Sequence, residues 1–107
     1  MSKETGCIYC IENEVNGKKY IGQTVDLKSR WQKHKSKLKH NKHRNNYLQN
    51  AWNKYGNVNF NFFVLEKEIS EEKLGEKEIE YIKKFDSYYN GYNLTKGGEG
   101  TRGYSLT

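Results

Sequence analysis

The pair Asn16-Gly17 lies between two short apolar runs, Ile8-Tyr9-Cys10-Ile11 before it and Tyr20-Ile21-Gly22 after it. An Asn-Gly at the centre of a two-residue loop favours a type I′ turn, so the chain is expected to open as an antiparallel hairpin. That turn would pair Val15 with Lys18, Asn13 with Tyr20, Ile11 with Gly22 and Tyr9 with Thr24. Side chains alternate along a strand, which puts Tyr9, Ile11, Asn13, Tyr20 and Gly22 on one face. Two phenols then stand together, and Gly22 between them leaves a gap where a ligand or phosphate can approach the backbone. Ordinary packing would use the same residues, in a chain with nine tyrosines.

The remaining elements follow from periodicity and caps. Asp26 can cap a helix running to about Lys39, with Leu27, Trp31 and Leu38 as its apolar stripe. A second helix from about Asn46 to Tyr55 carries Leu48, Ala51, Trp52 and Tyr55 at helical spacing and stops at Gly56. Val58, Phe60, Phe62 and Val64 alternate as a third strand with one buried face, and Ser70 begins a third helix. No proline interrupts these elements and no internal repeat is visible. The fold class is α+β: a small three-stranded antiparallel sheet, the hairpin plus a third strand, flanked by three helices.

At 107 residues the chain is one domain with a single modest core. Its formal charge of +6 is unevenly spread. From Lys28 to Arg44 the basic residues Lys28, Arg30, Lys33, Lys35, Lys37, Lys39, Lys42 and Arg44 occur with no acidic residue, and His34, His40 and His43 fall in the same stretch. Such a one-sided field suits a polyanion better than a merely solvated helix face would require. No apolar run is long enough to span a membrane, and the first residues lack the apolar stretch of a secretory signal, so a soluble cytoplasmic protein is expected. Cys7 and Cys10 form a C-x-x-C, but residues three apart on a strand point to opposite faces. Buried free thiols are therefore expected rather than a metal site or disulfide.

The third helix holds an anomaly. Glu78 stands in the middle of the stripe Leu74, Tyr81, Ile82 and Phe85. An ionised carboxylate buried there without compensation costs several kcal/mol. Either Glu78 pairs with Arg30 or a lysine at the stripe edge, or it is a metal ligand facing a cleft. Arg30 and His34, four apart, project together from the border of the first helix's stripe.

Ile8-Tyr9, Tyr20-Ile21-Gly22, Arg30-x-x-x-His34, Glu78 followed by Tyr81-Ile82, and Gly91-Tyr92-Asn93 together resemble the GIY-YIG nuclease family, in order and over residues 6–93. Leu48 to Gly56, and the run from Gly91 to Gly100, look like those of its intron-encoded and phage homing endonucleases. Cys7 stands where the family's first motif has glycine, although Gly6 precedes it.

The resemblance implies a metal-dependent endonuclease that hydrolyses double-stranded DNA. It assigns Glu78 to one Mg²⁺ or Mn²⁺ ion and Arg30 to the scissile phosphate, with Tyr9 as general base and Tyr20 orienting the water or phosphate, roles that the two could exchange. His34 is the partner in reach to take a proton from Tyr9, and Asn93 would tie the tail to the site. Lys28, Lys33, Lys35, Lys37, Lys42 and Arg44 are expected to contact DNA phosphates, and His43 either to join them or to match a histidine of some homing members. Residues 1–94 then form the nuclease domain, monomeric in isolation, and the Gly-rich 95–107 a flexible tail or a linker towards an absent DNA-binding region. A restriction or repair nuclease on the same scaffold, or a non-catalytic nucleic-acid-binding module, are the alternatives.

Overall fold

A computed structural model describes residues 5–98 of the chain. Three strands, β1 (Thr5–Asn13), β2 (Lys19–Thr24) and β3 (Phe60–Ser70), form one antiparallel sheet in the order β2-β1-β3. Helices α1 (Leu27–Lys39) and α2 (Asn46–Tyr55) lie between β2 and β3 in the chain, and α3 (Leu74–Phe85) follows β3. The expected α+β class is borne out.

As the central strand, β1 must be covered on both faces, and Cys7 to Ile11 are all buried. One face carries Tyr9 and Ile11 against Leu38 of α1 and Leu48 and Ala51 of α2. The other carries Ile8 and Cys10 with Ile21 and Ile69, against Leu74 and Ile82 of α3. The sheet is thus sandwiched, whereas the alternation in β3 suggests one buried face only. Phe60 and Phe62 join the first cluster, and Phe63, Leu65 and Ile69 the second. The pairing of β1 with β3 slips between Gly6 and Ile8 and again between Ile8 and Tyr9, and Glu68 takes a φ of 59°. Such bulges re-aim the side chains of a strand.

The hairpin differs from the two-residue form by a register shift of two. Ile11 pairs with Tyr20 and Tyr9 with Gly22. The loop is longer because its asparagines bond the backbone locally. Asn13 Oδ1 accepts from Val15 N at 3.0 Å, and Asn16 Oδ1 accepts from Lys18 N at 2.9 Å. Gly17, at a φ of 77°, donates its N–H to Asn13 O at 2.7 Å and closes the turn. These Asx-type bonds outcompete the tighter turn. A slip of two preserves the alternation, so both phenols keep the expected face.

The first two helices begin and end where expected, whereas α3 starts at Leu74 rather than at Ser70. Asp26 Oδ1 accepts from Ser29 N, Asn45 Oδ1 accepts from Leu48 N, and Gly56 ends α2 at a φ of 88°. Val58 does not belong to β3: it lies in a 3-10 turn, Asn57–Asn59, and is 84% exposed. Ser70 ends β3, and a second such turn, Glu71–Lys73, precedes α3. Cys7 and Cys10 are buried free thiols, and burial pushes the Cys10 thiol up to about 12. The glycine requirement at this end falls on Gly6, where a Cβ would lie 2.5 Å from Thr24 O, while Cys7 is accommodated. No described helix is long and apolar enough to cross a membrane.

Leu48 is fully buried between α2 and the sheet. Leu48→Ala should lower the unfolding free energy by about 2–5 kcal/mol. The exposed Val58→Ala should change it by less than about 0.5 kcal/mol. Urea unfolding of the two variants checks both values, and similar losses in the two would contradict the packing described.

Candidate active site

An edge strand leaves backbone groups unpaired, and β2 is the edge from which the site grows. The segment after α3 returns beside it. Tyr92 N donates to Lys19 O at 2.8 Å. Asn93 then uses its side-chain amide as a substitute strand: Oδ1 accepts from Ile21 N at 2.8 Å, and Nδ2 donates to Ile21 O at 2.9 Å. Ser87 Oγ also donates to Asn93 Oδ1 at 2.7 Å, so the buried amide is anchored from α3's end as well. Beyond this sealed edge, α1 approaches from one face of the sheet and α3 from the other. The cleft between them is lined by Tyr20, Arg30, Lys33, His34, Lys37, His43, Arg44, Glu78 and Asn93 to Thr95, and holds about 380 Å³.

Tyr9 is not in that lining. Its ring closes over Gly22, where an added Cβ would meet Tyr9 Oη at 2.4 Å. The gap expected at Gly22 is therefore filled by the phenol itself. Tyr9 is 1% exposed, while Tyr20, at 6.4 Å between ring centroids, faces the cleft. Tyr9 Oη is 2.7 Å from His34 Nε2, and His34 Nδ1 is 2.8 Å from His43 Nε2. The imidazoles stack with centroids 5.0 Å apart. His43 Nδ1 accepts from Asn45 N at 3.1 Å, and His43 N donates to Gln49 Oε1 at 3.0 Å.

Burial and charge hold these groups neutral. Desolvation pushes His34 down to about 3, and His43, Arg30 and Lys37 add to the fall. Burial, then Lys37, also lowers His43. Burial raises Tyr9 well above 10, with Tyr20 raising it further and Arg30 opposing. Tyr20 is raised by burial and by Glu78, while Arg30 and a hydrogen bond from Tyr9 pull it down.

Glu78 reaches the cleft from the α3 side, 8% exposed. Its Oε1 accepts from Gln23 Nε2 and from Gly98 N, each at 3.0 Å. Two donors on one oxygen compensate burial of the charge and fix the carboxylate's direction. Gly98, at a φ of 91°, and Gly97 lie against Ile79, so residues 97 and 98 pack on α3. The tail expected beyond Gly98 lies outside the described residues.

The basic residues divide. Arg30, Lys33, Lys37 and Arg44 line the cleft. Lys35 and Lys39 turn to a separate groove beside Trp52 and Phe60, with Lys35 Nζ 4.8 Å from the Phe62 ring centre. Lys28 and Lys42 are exposed and line neither. His43, grouped in sequence with the basic residues, belongs to the stacked pair. Gln23, Asn45, Gln49 and Ser87 carry no motif, and only the contacts of Glu78, His43 and Asn93 bring them in.

Among the described residues no three His, Cys, Asp or Glu side chains are grouped to hold a metal ion. Glu78 is the one cleft carboxylate among the described residues, and a hard cation of the Mg²⁺ type binds through one or two carboxylates, keeping waters and taking substrate phosphate oxygens. The donor set fits that kind of ion and not an all-protein cage.

A family model described as the GIY-YIG catalytic domain matches residues 5–93. The chain is 42% identical over 89 residues to "Intron-associated endonuclease 1" of Enterobacteria phage T4, a match covering 81% of this chain and 36% of that protein. It is 35% identical over 111 residues to "Probable intron-encoded endonuclease 1" of Neurospora crassa, covering 98% of this chain and 35% of that one. The chain thus spans about a third of the length of these curated relatives. Among solved structures, the catalytic domain of the homing endonuclease I-TevI superposes with a TM-score of 0.79 at 34% identity, over 84% of this chain and 98% of that one. With its motif residues gathered at the edge of β2 and its fold shared with that domain, the chain belongs to the GIY-YIG catalytic domain family.

Proposed function

We propose that this chain is the catalytic unit of a divalent-metal-dependent DNA endonuclease of the homing type, hydrolysing phosphodiester bonds by in-line attack of water. The observation that carries this reading is the convergence of Tyr20, Arg30, His34 and Glu78, drawn from both faces of the sheet, on one cation-rimmed cleft. The names of the relatives, both intron-linked endonucleases, support double-stranded DNA as the substrate.

Each residue has a task that its chemistry suits. Arg30 presents a fixed fork of donors, which clamps a phosphate and offsets charge in the transition state. Glu78 would hold one Mg²⁺ or Mn²⁺ ion per site together with substrate oxygens. When bound, the ion supplies Lewis acidity at the phosphoryl group. Gln23 and the Gly98 N–H keep the carboxylate aimed. Tyr9 and Tyr20, backed by the neutral histidine pair, serve the attacking water. One cleft per chain acts on one strand at a time, so a monomer nicks rather than cuts through.

Purified chain with Mg²⁺ or Mn²⁺ should convert supercoiled plasmid to the open circle. EDTA and Glu78→Ala should stop this while DNA binding persists, and Arg30→Ala should slow it by roughly 10²–10³-fold. Cleavage that survives in Glu78→Ala, or that ignores EDTA, would sink the reading.

Binding should be electrostatic through the cleft rim. With Arg30, Lys33, Lys37 and Arg44 each meeting a phosphate, log affinity should fall with log salt at a slope of about −3.6. Lys33→Ala or Lys37→Ala should reduce that slope by about 0.9, and Lys35→Ala, on the other groove, should leave it unchanged. An equal effect at Lys35 would place the DNA on the wrong face.

The buried neutral His34 also ties stability to pH. Its folded pKa, about 3, is below the ordinary 6.5, so between those values the unfolded chain binds a proton that the folded chain refuses. Stability is unaffected above pH 6.5 and falls by about 1.4 kcal/mol per pH unit below it. Urea midpoints at pH 7 and 5.5 should therefore differ in the parent and much less in His34→Gln.

A further inference from the structure

An aromatic ring contributes most to stability when it is buried, so a large ring left in solvent is an uneconomical use of the residue unless something else covers it. Among the described residues two aromatic side chains are exposed, Tyr47 at 61% and Tyr89 at 71%, and both line the same groove. Tyr47 stands in the first turn of α2, and Tyr89 in the turn that follows α3. The half-buried Tyr55 and Tyr88 join them in the lining. Tyr88 meets Tyr89 edge to face, with centroids 4.8 Å apart, which steadies the exposed ring on one side.

Charge narrows what can cover these rings. Lys18, from the loop between β1 and β2, and Lys54 of α2 line the groove, and no acidic side chain among the described residues does. Lys54 Nζ lies 5.2 Å from the centre of the Tyr55 ring, and Lys96 Nζ lies 5.6 Å from that of Tyr89. Aromatic faces interleaved with ammonium groups match a single nucleic-acid strand, whose unpaired bases stack on rings while its phosphates meet lysines. A duplex offers only base edges to a protein and hides the faces. A proline-rich peptide would use the rings but has no need of the lysines.

The groove adjoins the cleft. Asn45 lines the cleft and donates its Nδ2 to Tyr92 O at 2.6 Å, and Tyr92 lines the groove. Arg44 on the cleft rim is followed within one helical turn by Tyr47, and Asn93 in the cleft directly follows Tyr92. We propose that this groove, which holds about 450 Å³, takes unpaired nucleotides of the DNA strand whose phosphate occupies the cleft, and stacks their bases on Tyr47 and Tyr89. Plain duplex meets only the cleft rim, and the groove fills when the strand beside the scissile phosphate opens. A nick supplies such a strand, because its new end is free to leave the duplex. The placement of that strand rests on the nuclease reading above, but the groove's preference for single-stranded DNA does not.

Fluorescence of 2-aminopurine, placed in the unpaired tail of a partial duplex, reads stacking directly, with EDTA present so that nothing is cut. The whole unmutated chain should quench the tail and bind the tailed duplex more tightly than a blunt one. Tyr47→Ala and Tyr89→Ala should each weaken binding of the tailed duplex by roughly 5- to 150-fold, the loss of one base stack, and leave the blunt duplex unchanged. Tyr47→Phe and Tyr89→Phe, which keep the ring, should bind as the parent does. Lys54→Ala should reduce the salt slope by about 0.7 on the tailed duplex only. Absence of quenching, or an equal loss on the blunt duplex, overturns the proposal. So does a loss in the Phe variants as large as in the Ala variants, which would make the hydroxyls the contact. A parent that sediments as a dimer, dissociated by Tyr47→Ala, would put a second copy in the groove and overturn it as well. Plasmid nicking is read separately. A parent that quenches the tail but cuts nothing sinks the nuclease reading alone, and one that cuts without quenching sinks the groove alone.

Discussion

The open edge of β2 governs the rest of the molecule. An edge strand invites pairing, and here the invitation is answered by the side-chain amide of Asn93, which satisfies both the N–H and the C=O of Ile21. Because one amide group replaces a whole strand, the sheet ends without a fourth layer of backbone. That leaves room beside β2 for α1 and α3 to face each other around the edge. A cleft at a sheet edge draws on both faces, so Tyr20 and Glu78 can oppose one another although their elements cover opposite sides of the sheet.

Two electrostatic demands meet in this cleft and are separated by depth. At its mouth, Arg30, Lys33, Lys37 and Arg44 provide the positive field that a polyanion requires. Burial is the main force against protonation of His34 and His43 beneath it, and that same field acts in the same direction. The basic helix therefore does more than attract a substrate: it helps keep the stacked histidine pair uncharged, and only uncharged imidazoles can both donate and accept.

Much of this arrangement is legible in the sequence. Asp26 and Gly56 mark helix ends by capping chemistry that depends on few neighbours. The shared face of Tyr9 and Tyr20 survives a shifted hairpin because a slip of two keeps parity. The register itself is not legible, since Asn13 and Asn16 could equally flank a tight turn or bond the backbone of a wider one. Nor is the depth difference between Tyr9 and Tyr20, which arises only when the Tyr9 ring closes over Gly22. Glu78 betrays itself as a charge on an apolar stripe. Gln23, Asn45 and Gln49 do not, because a polar residue at a strand edge, a cap or a helix face is ordinary until its partner is known.

Gly98 donates its backbone N–H to the same Glu78 oxygen that Gln23 holds. The polypeptide therefore leaves the cleft by way of its carboxylate, with no slack between the two. Glycine's left-handed φ at this point is what lets the chain turn inward far enough to make the bond. Any displacement of the backbone at Gly98 therefore acts on the Glu78 carboxylate through a single hydrogen bond.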